Sequence, residues 1–231
     1  MKITKFGALL AVAACTALGA APALADEPPN DIRFGSYSVF YHTSADDLSG
    51  PYVPAGVNFK ALNLETLYAA YVRHLPANFQ IELAVGYPPL AKIRGEGPAT
   101  VGSVPYNGQI VSSARWIAPT LLLEYNFLDD TSPLRPFIGA GVNYTTFYDR
   151  DSTVAGNAAS GGPTKISSTA SVGPAVTAGL TYRITDRWHA HASYSFSQVK
   201  TNLTADTDGV LRTTHISFGP QALIVSVGYS F

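Results

Sequence analysis

The sequence has one cysteine, one methionine and two tryptophans in 231 residues, and charged residues make up only 13% of it. The lone cysteine, Cys15, lies in an apolar N-terminal run that reads as a removable leader. The mature chain therefore offers no disulfide, no catalytic thiol and no zinc–thiolate site. Charge is sparse and evenly mixed, 15 basic residues against 16 acidic, which argues against a nucleic-acid partner. After the leader, no segment approaches the roughly 18 uninterrupted apolar residues of a spanning helix. A helical inner-membrane protein is excluded.

The leader has the three parts of a secretory signal. Lys2 and Lys5 form a basic start, Phe6 to Ala23 is rich in Ala, Leu, Val and Gly, and Ala23-Leu24-Ala25 is an A-x-A cleavage site ahead of Asp26-Glu27-Pro28-Pro29. A membrane anchor and lipoprotein processing at Cys15 are the weaker readings, because the run is short and continues past Cys15 to a better site. The expected organisation is a signal peptide over 1–25 and a single domain over 26–231. Cleavage removes Lys2, Lys5 and Cys15 and leaves 13 basic and 16 acidic residues.

What the chain does have is alternation. Gln221 to Phe231 reads QALIVSVGYSF, with Leu223, Val225, Val227, Tyr229 and Phe231 on one face of a strand and small or polar residues mostly on the other. Similar segments recur. Strands are expected over Ile32–Tyr41, Ala61–His74, Phe79–Tyr87, Trp116–Phe127, Pro136–Tyr148, Ala170–Ile184, Trp188–Gln198, and from about Thr213 to the end. Ala61–His74 also has the composition of a helix. In the last strand the apolar parity shifts from Ile216 and Phe218 to Leu223 and Val225, which predicts a bulge near Gly219-Pro220.

Short turns (Leu75–Asn78, Leu128–Arg135, Thr185–Arg187) alternate with long polar or irregular stretches (His42–Lys60, Pro88–Arg115, Asp149–Ser168, Lys200–Leu211). That is the rhythm of an all-β, eight-stranded antiparallel transmembrane barrel with short periplasmic turns and long extracellular loops. Aromatics near strand ends, such as Phe79, Trp116, Tyr148, Trp188 and Phe231, read as interfacial girdles. A soluble sandwich or lipocalin-like barrel would alternate too, with its apolar face inward.

Ala118-Pro119-Thr120-Leu121, Glu124-Tyr125-Asn126-Phe127 and the run Arg135 to Phe147, RPFIGAGVNYTTF, resemble the OmpW/AlkL family of small outer-membrane barrels. Glu82-Leu83-Ala84 and the terminal Gly228-Tyr229-Ser230-Phe231 agree; the first loop and last hairpin depart most. The resemblance implies a monomeric barrel in the Gram-negative outer membrane and passive uptake of small hydrophobic molecules. It further implies a route from an extracellular funnel sideways through the wall, with the lumen blocked toward the periplasm. The ending at Tyr229 and Phe231 resembles the signal read by the barrel assembly machinery. The other expected partners are outer-membrane lipid and the hydrophobic molecules themselves.

Eight strands make a barrel that side chains nearly fill, so a bulk water pore is not expected. Small lumen residues needed for a short channel are Gly139, Gly141, Gly173 and Ser193, with Gly179 and Ser195. A sideways exit needs a broken ladder, and proline donates no backbone hydrogen bond. Pro88 and Pro119 are the leading candidates, with Pro174 and Pro220, against the bland reading that each merely ends a strand. Pro119 lies inside its strand pattern.

Glu82, Glu124 and Arg183 share the lumen parity, with Glu65 and Arg73 as further members. Charges there must pair, as a structural plug or as a polar gate. His189, His191, Ser193 and Ser195 superficially resemble the His and Ser of lipid A deacylase barrels, but their parity points inward and no acidic partner is apparent. No catalytic, metal or cofactor site is expected. The alternative function is a structural barrel whose extracellular loops act as a receptor or adhesion surface.

Overall fold

The computed structural model describes residues 29–97, 100–101 and 104–231. The leader, with Cys15 and the cleavage site after Ala25, lies outside the described residues. In ring order the barrel strands are β1 (Asn30–Ala45), β3 (Leu64–His74), β4 (Phe79–Gly86), β9 (Thr120–Asn126), β10 (Leu134–Ser152), β12 (Ser171–Arg183), β13 (Trp188–Ser197) and β15 (Val210–Ser230). All neighbours are antiparallel, and β15 returns to pair with β1, so the ring has no edge. In a bilayer every backbone polar group needs an internal partner, and a closed sheet provides it.

The expected long loops are largely more strand. β5 (Leu90–Glu96) and β8 (Ile110–Ile117) continue β4 and β9 upward. β2 (Asn58–Ala61) pairs with β5, and β11 (Thr164–Ser168) and β14 (Val199–Thr207) extend the other wall. β6 (Thr100–Val101) and β7 (Val104–Pro105) form a small separate ribbon. The helix α1 (Val154–Ser160) is capped by Thr153, whose hydroxyl accepts from Gly156 N–H. A Cβ on Gly156 would lie 2.0 Å from the Val111 carbonyl oxygen, so this helix packs directly on β8. The periplasmic turn between β3 and β4 spans Leu75–Asn78 and reverses at Ala77 and Asn78, both at positive φ (60° and 63°).

The register of β1 on β15 runs unbroken from Asp31↔Ser230 to Ala45↔Ile216, so the bulge expected at Gly219-Pro220 is absent. Even-numbered residues of β15 face inward along its whole length: Ile216, Phe218, Ala222, Ile224 and Ser226 are buried, while Leu223, Val225 and Val227 are exposed. The parity shift therefore marks a change in where apolar residues are needed. In the lower barrel they meet lipid; in the upper barrel they line the lumen. β3 carries a second correction. Tyr68, Ala70 and Val72 face inward and Leu67 outward. Glu65 is exposed on the outer wall, and Arg73 on that same face donates to Asn30 Oδ1 at 2.9 Å.

The lower lumen is closed by polar groups. Arg33 on β1, 1% exposed, meets Glu82 on β4 at 2.7 Å. Tyr68 donates its hydroxyl hydrogen to the other Glu82 oxygen at 2.7 Å. Gln80 donates to Glu124 at 2.5 Å and accepts from Asn126 at 3.2 Å. Below them, Asp31 accepts from Ser230 at 2.7 Å and lies 2.9 Å from His74 Nε2 and 3.8 Å from Arg33. Paired charges with extra hydrogen bonds are tolerable inside; a charge stripped of its partner is not.

Arg33→Met is expected to lower the unfolding free energy by about 3–5 kcal/mol, read from urea titration in lipid vesicles. Adding Glu82→Gln should recover most of the loss; no recovery would overturn the pairing. Gly35 lies on the closing seam, where a Cβ would come within 2.0 Å of the Val225 carbonyl oxygen. Gly35→Ala should cost at least about 1 kcal/mol and reduce the fraction of protein migrating as a folded, heat-modifiable band.

Candidate functional site: an apolar cavity beside a break in the wall

Above the polar plug the lumen opens into an apolar cavity of about 940 Å³ including its mouth. β1 contributes Tyr37, Val39 and Tyr41, because its odd residues face inward. β5 and β8 contribute Ala91, Ile93 and Trp116, β10 contributes Phe147, and β15 contributes Ile216 and Phe218. These side chains pack in two connected groups. Val39, Ala91 and Trp116 are surrounded by Tyr37, Tyr41 and Phe147, and Ile216, Phe218 and Val199 by Tyr41, Ile93 and Phe147. At the rim, Val57, Tyr106 and Val111 pack with Phe59 and hold the extracellular extension together.

The floor is a ring contact. Tyr37 lies 6.4 Å from Trp116 at 77° and 6.4 Å from Tyr68 at 47°, centroid to centroid. Beneath it a second cavity of about 510 Å³ shares Tyr37, Ala118, Ser197 and Pro220 with the first and extends to Val85 and Gly86. Those two residues lie at a discontinuity in the wall.

The β4–β9 ladder ends at Ala84↔Thr120, and the β5–β8 ladder begins only at Leu90↔Arg115. Between these pairs lie Val85 to Pro89 on one side and Trp116 to Pro119 on the other. Pro88, Pro89 and Pro119 carry no N–H. The remaining groups find partners elsewhere. Tyr87 N–H donates to Leu67 O at 2.8 Å, and Thr66 Oγ1 donates to Tyr87 O at 2.7 Å. Arg115 donates to Pro88 O at 2.9 Å, and Tyr144 N–H to Pro119 O at 3.0 Å. The break thus leaves these groups satisfied, and of these bonds only that from the Arg115 side chain to Pro88 O reaches across it. Outside it, Val85 and Tyr87 are exposed toward lipid.

A strand change on the opposite wall, where β13 gives way to β14, is sealed. Lys200 N–H donates to Ser171 Oγ at 2.9 Å, Thr201 Oγ1 to Thr169 O at 2.7 Å, and Asn202 N–H to Thr169 Oγ1 at 3.0 Å. Pro174 still accepts from Gln198 N–H at 3.0 Å and pairs with Val142. Pro220 faces the lumen beside this sealed junction.

Of the candidate residues, Pro88 and Pro119 come together on the two sides of the break. Pro119 does not lie inside a strand; with Ala118 it separates β8 from β9. Glu82 and Glu124 are both in the plug, but Arg183 is not. Its guanidinium donates to the Asp130 and Thr131 carbonyls, each at 2.7 Å, in the periplasmic turn. Arg33 supplies the cation instead. It shared a face with Tyr37, Val39 and Tyr41, and that face reads as apolar until its lower end is counted.

Gly139, Gly141, Gly173 and Ser193 line neither cavity. A Cβ on Gly139 would meet Glu124 and Thr177, placing it at the plug; Gly141 abuts Leu121 and Gly173 abuts Gln198. Ser193 is buried on the wall between Gly179 and Ile224. Small residues that do line the upper cavity include Ala61, Ala91, Ala114, Ala118 and Ser112. Four of these fall in or beside the stretch Pro88–Arg115, whose glycines and prolines hid two alternating strands.

The His–Ser face forms no nucleophilic pair among the described residues. His191 stacks on Phe137 (5.0 Å, 22°), His189 lies 3.5 Å from Asp31, and Ser195 donates to Thr177 Oγ1 at 2.9 Å.

Comparison with known proteins agrees with this geometry. Residues 73–231 match the OmpW family. The chain is 27% identical to Outer membrane protein W of Vibrio cholerae serotype O1, over 95% of its own length and 97% of that protein's. It is 34% identical to the dibenzothiophene metabolism operon protein PahQ of Pseudomonas aeruginosa, over 56% of this chain and 58% of that one. The crystal structure of OprG from Pseudomonas aeruginosa superposes with a TM-score of 0.79 at 20% identity, covering 89% of this chain and 96% of that one. The chain belongs to the OmpW family and is an eight-stranded barrel of the outer membrane.

Proposed function

We propose that this barrel admits small hydrophobic molecules from outside the cell and releases them sideways into the outer membrane. The observation that carries this reading is the continuity of the apolar cavity, the smaller cavity below Tyr37 and the break between Ala84↔Thr120 and Leu90↔Arg115. An apolar solute entering the cavity leaves water, which is favourable in proportion to the area buried. Moving on into lipid costs it little, since lipid is also apolar. Moving down would press it against Arg33, Glu82 and Glu124, whose partners it cannot replace. The sideways direction is therefore the downhill one.

The relative PahQ bears a name that refers to metabolism of dibenzothiophene, an apolar aromatic. That name supports the same class of solute. The break supplies an exit that needs no rupture of backbone hydrogen bonds, and Tyr37 is the side chain an outgoing molecule must pass.

Cells lacking the gene are expected to take up a hydrophobic probe such as naphthalene more slowly, with recovery on return of the wild-type chain. Equal uptake with and without the protein would overturn the transport reading. Gly86→Leu places a side chain into the lower cavity beside Tyr37. It should cut uptake at least about fivefold while the protein still runs as a folded, heat-modifiable band. Unchanged uptake in that variant would overturn the sideways route alone.

A further inference from the structure

The outer wall of the extracellular extension concentrates positive charge at one place. On β5, Ala91 and Ile93 line the cavity and Gly95 abuts Tyr106, so Leu90, Lys92, Arg94 and Glu96 face outward. On β2, Phe59 and Ala61 line the cavity, so Lys60 faces outward too. The register sets Lys60 directly opposite Arg94, with Cβ atoms about 4.5–5.5 Å apart. Lys92 is the diagonal neighbour of Lys60, about 7–8 Å away. Like charges directly opposite one another destabilise a sheet, and little here offsets them. Glu96 lies 4.0 Å from Lys60, with both side chains about half exposed, and such a pair contributes little. Asp47 is taken up by Gly56 N–H at 3.0 Å and by Asn58 at 3.4 Å. Arg115, lower on the wall, is held by Pro88 O and Asp149. Lys92 and Arg94 have no side-chain ion pair or hydrogen bond among the described residues. Lys165, elsewhere on the extension, shows the ordinary arrangement, with Asp151 and Asp206 as its cross-strand neighbours.

We propose that Lys60, Lys92 and Arg94 bind the phosphate groups of an outer-leaflet lipid, the diphosphorylated glucosamine lipid A of the Gram-negative surface. Depth commits the site to a lipid rather than a free anion. Below Lys92 on the same wall lie Leu90, Tyr87 and Ile117, all exposed. Lys92 stands two residues, about 7 Å, above Leu90, so the cations begin where the apolar band ends. Acyl chains lie against that band, and phosphates at the head of the lipid reach the three cations. The Arg94 guanidinium offers two parallel N–H groups to one phosphate, and the lysines act as point charges. A phosphate seated between Lys60 and Arg94 replaces their mutual repulsion by attraction to a shared anion. This site lies outside the lumen and does not depend on the transport reading.

Diphosphorylated lipid A and the same lipid stripped of both phosphates, each titrated into the detergent-solubilised barrel and followed by native mass spectrometry, test this. The stripped lipid should bind at least about tenfold more weakly. Each Lys or Arg near an anionic lipid surface contributes about fivefold in affinity. Lys92→Gln, at a side chain with no partner in the fold, should therefore weaken lipid A binding about fivefold, and Lys60→Gln combined with Arg94→Gln at least about tenfold. Lys165→Gln should leave it unchanged. Without lipid, the double variant should unfold at no lower temperature than the wild type, because a repulsive pair has been removed. Undiminished binding in the Lys92 and double variants, an equal loss in Lys165→Gln, or equal binding of the stripped lipid would overturn the inference. So would a lower unfolding temperature of the lipid-free double variant. Displacement of lipid A by equimolar inorganic phosphate would make this a free-anion site and overturn the lipid assignment.

Discussion

The antiparallel seam between Asn30–Ala45 and Val210–Ser230 is the interaction on which everything else depends. It joins the first strand to the last in an unbroken register from Asp31↔Ser230 to Ala45↔Ile216, and it leaves no strand edge facing lipid. Without it the sheet would expose two rows of unpaired backbone groups to a solvent that offers no hydrogen bonds. Gly35 sits on this seam because a Cβ there would strike the Val225 carbonyl. Closure also fixes the ring at eight strands, and so fixes how little room remains inside.

A lumen this narrow is divided by height. The lower part is filled by Arg33, Glu82, Gln80 and Glu124, held by one strong ion pair and a set of short hydrogen bonds. The upper part is wider and apolar, and the boundary is the Tyr37–Trp116–Tyr68 contact. The wall is interrupted close to that boundary. The prolines account for the interrupted ladder, since Pro88, Pro89 and Pro119 remove three donors within a short length of wall, while the hydroxyls of Thr169, Ser171 and Thr201 close the comparable junction opposite.

Much of the fold was legible because lipid imposes a simple rule on alternate residues. Leu223, Val225 and Val227 announce an outward face, and the same alternation in Phe79–Tyr87 and Trp188–Gln198 locates further barrel strands. The rule weakens where the barrel rises beyond the bilayer. There the apolar residues move inside, as Ile216 and Phe218 do, and the pattern looks like a slip of register. The same inversion concealed the cavity, since Ala91, Ile93, Ala114 and Trp116 alternate within a stretch whose glycines and prolines suggested an irregular loop. In β3, Tyr68 and Val72 are apolar yet face inward, which reversed the reading of Glu65 and Arg73.

By itself the sequence determined the class of the molecule, its strand count, its family resemblance and the two prolines that meet at the wall. These follow from local chemistry: side-chain alternation, turn residues and a missing N–H. Which charges meet inside was decided only in three dimensions. Arg33 and Glu82 are 49 positions apart and become partners because β1 and β4 both border β3, turning their inward faces toward one another across the lumen. Arg183 has the right parity and lies too near the periplasmic turn to join them. Parity gives a side chain its face; strand register and tilt give it its depth, and depth separates a plug from a cavity and a cavity from a turn.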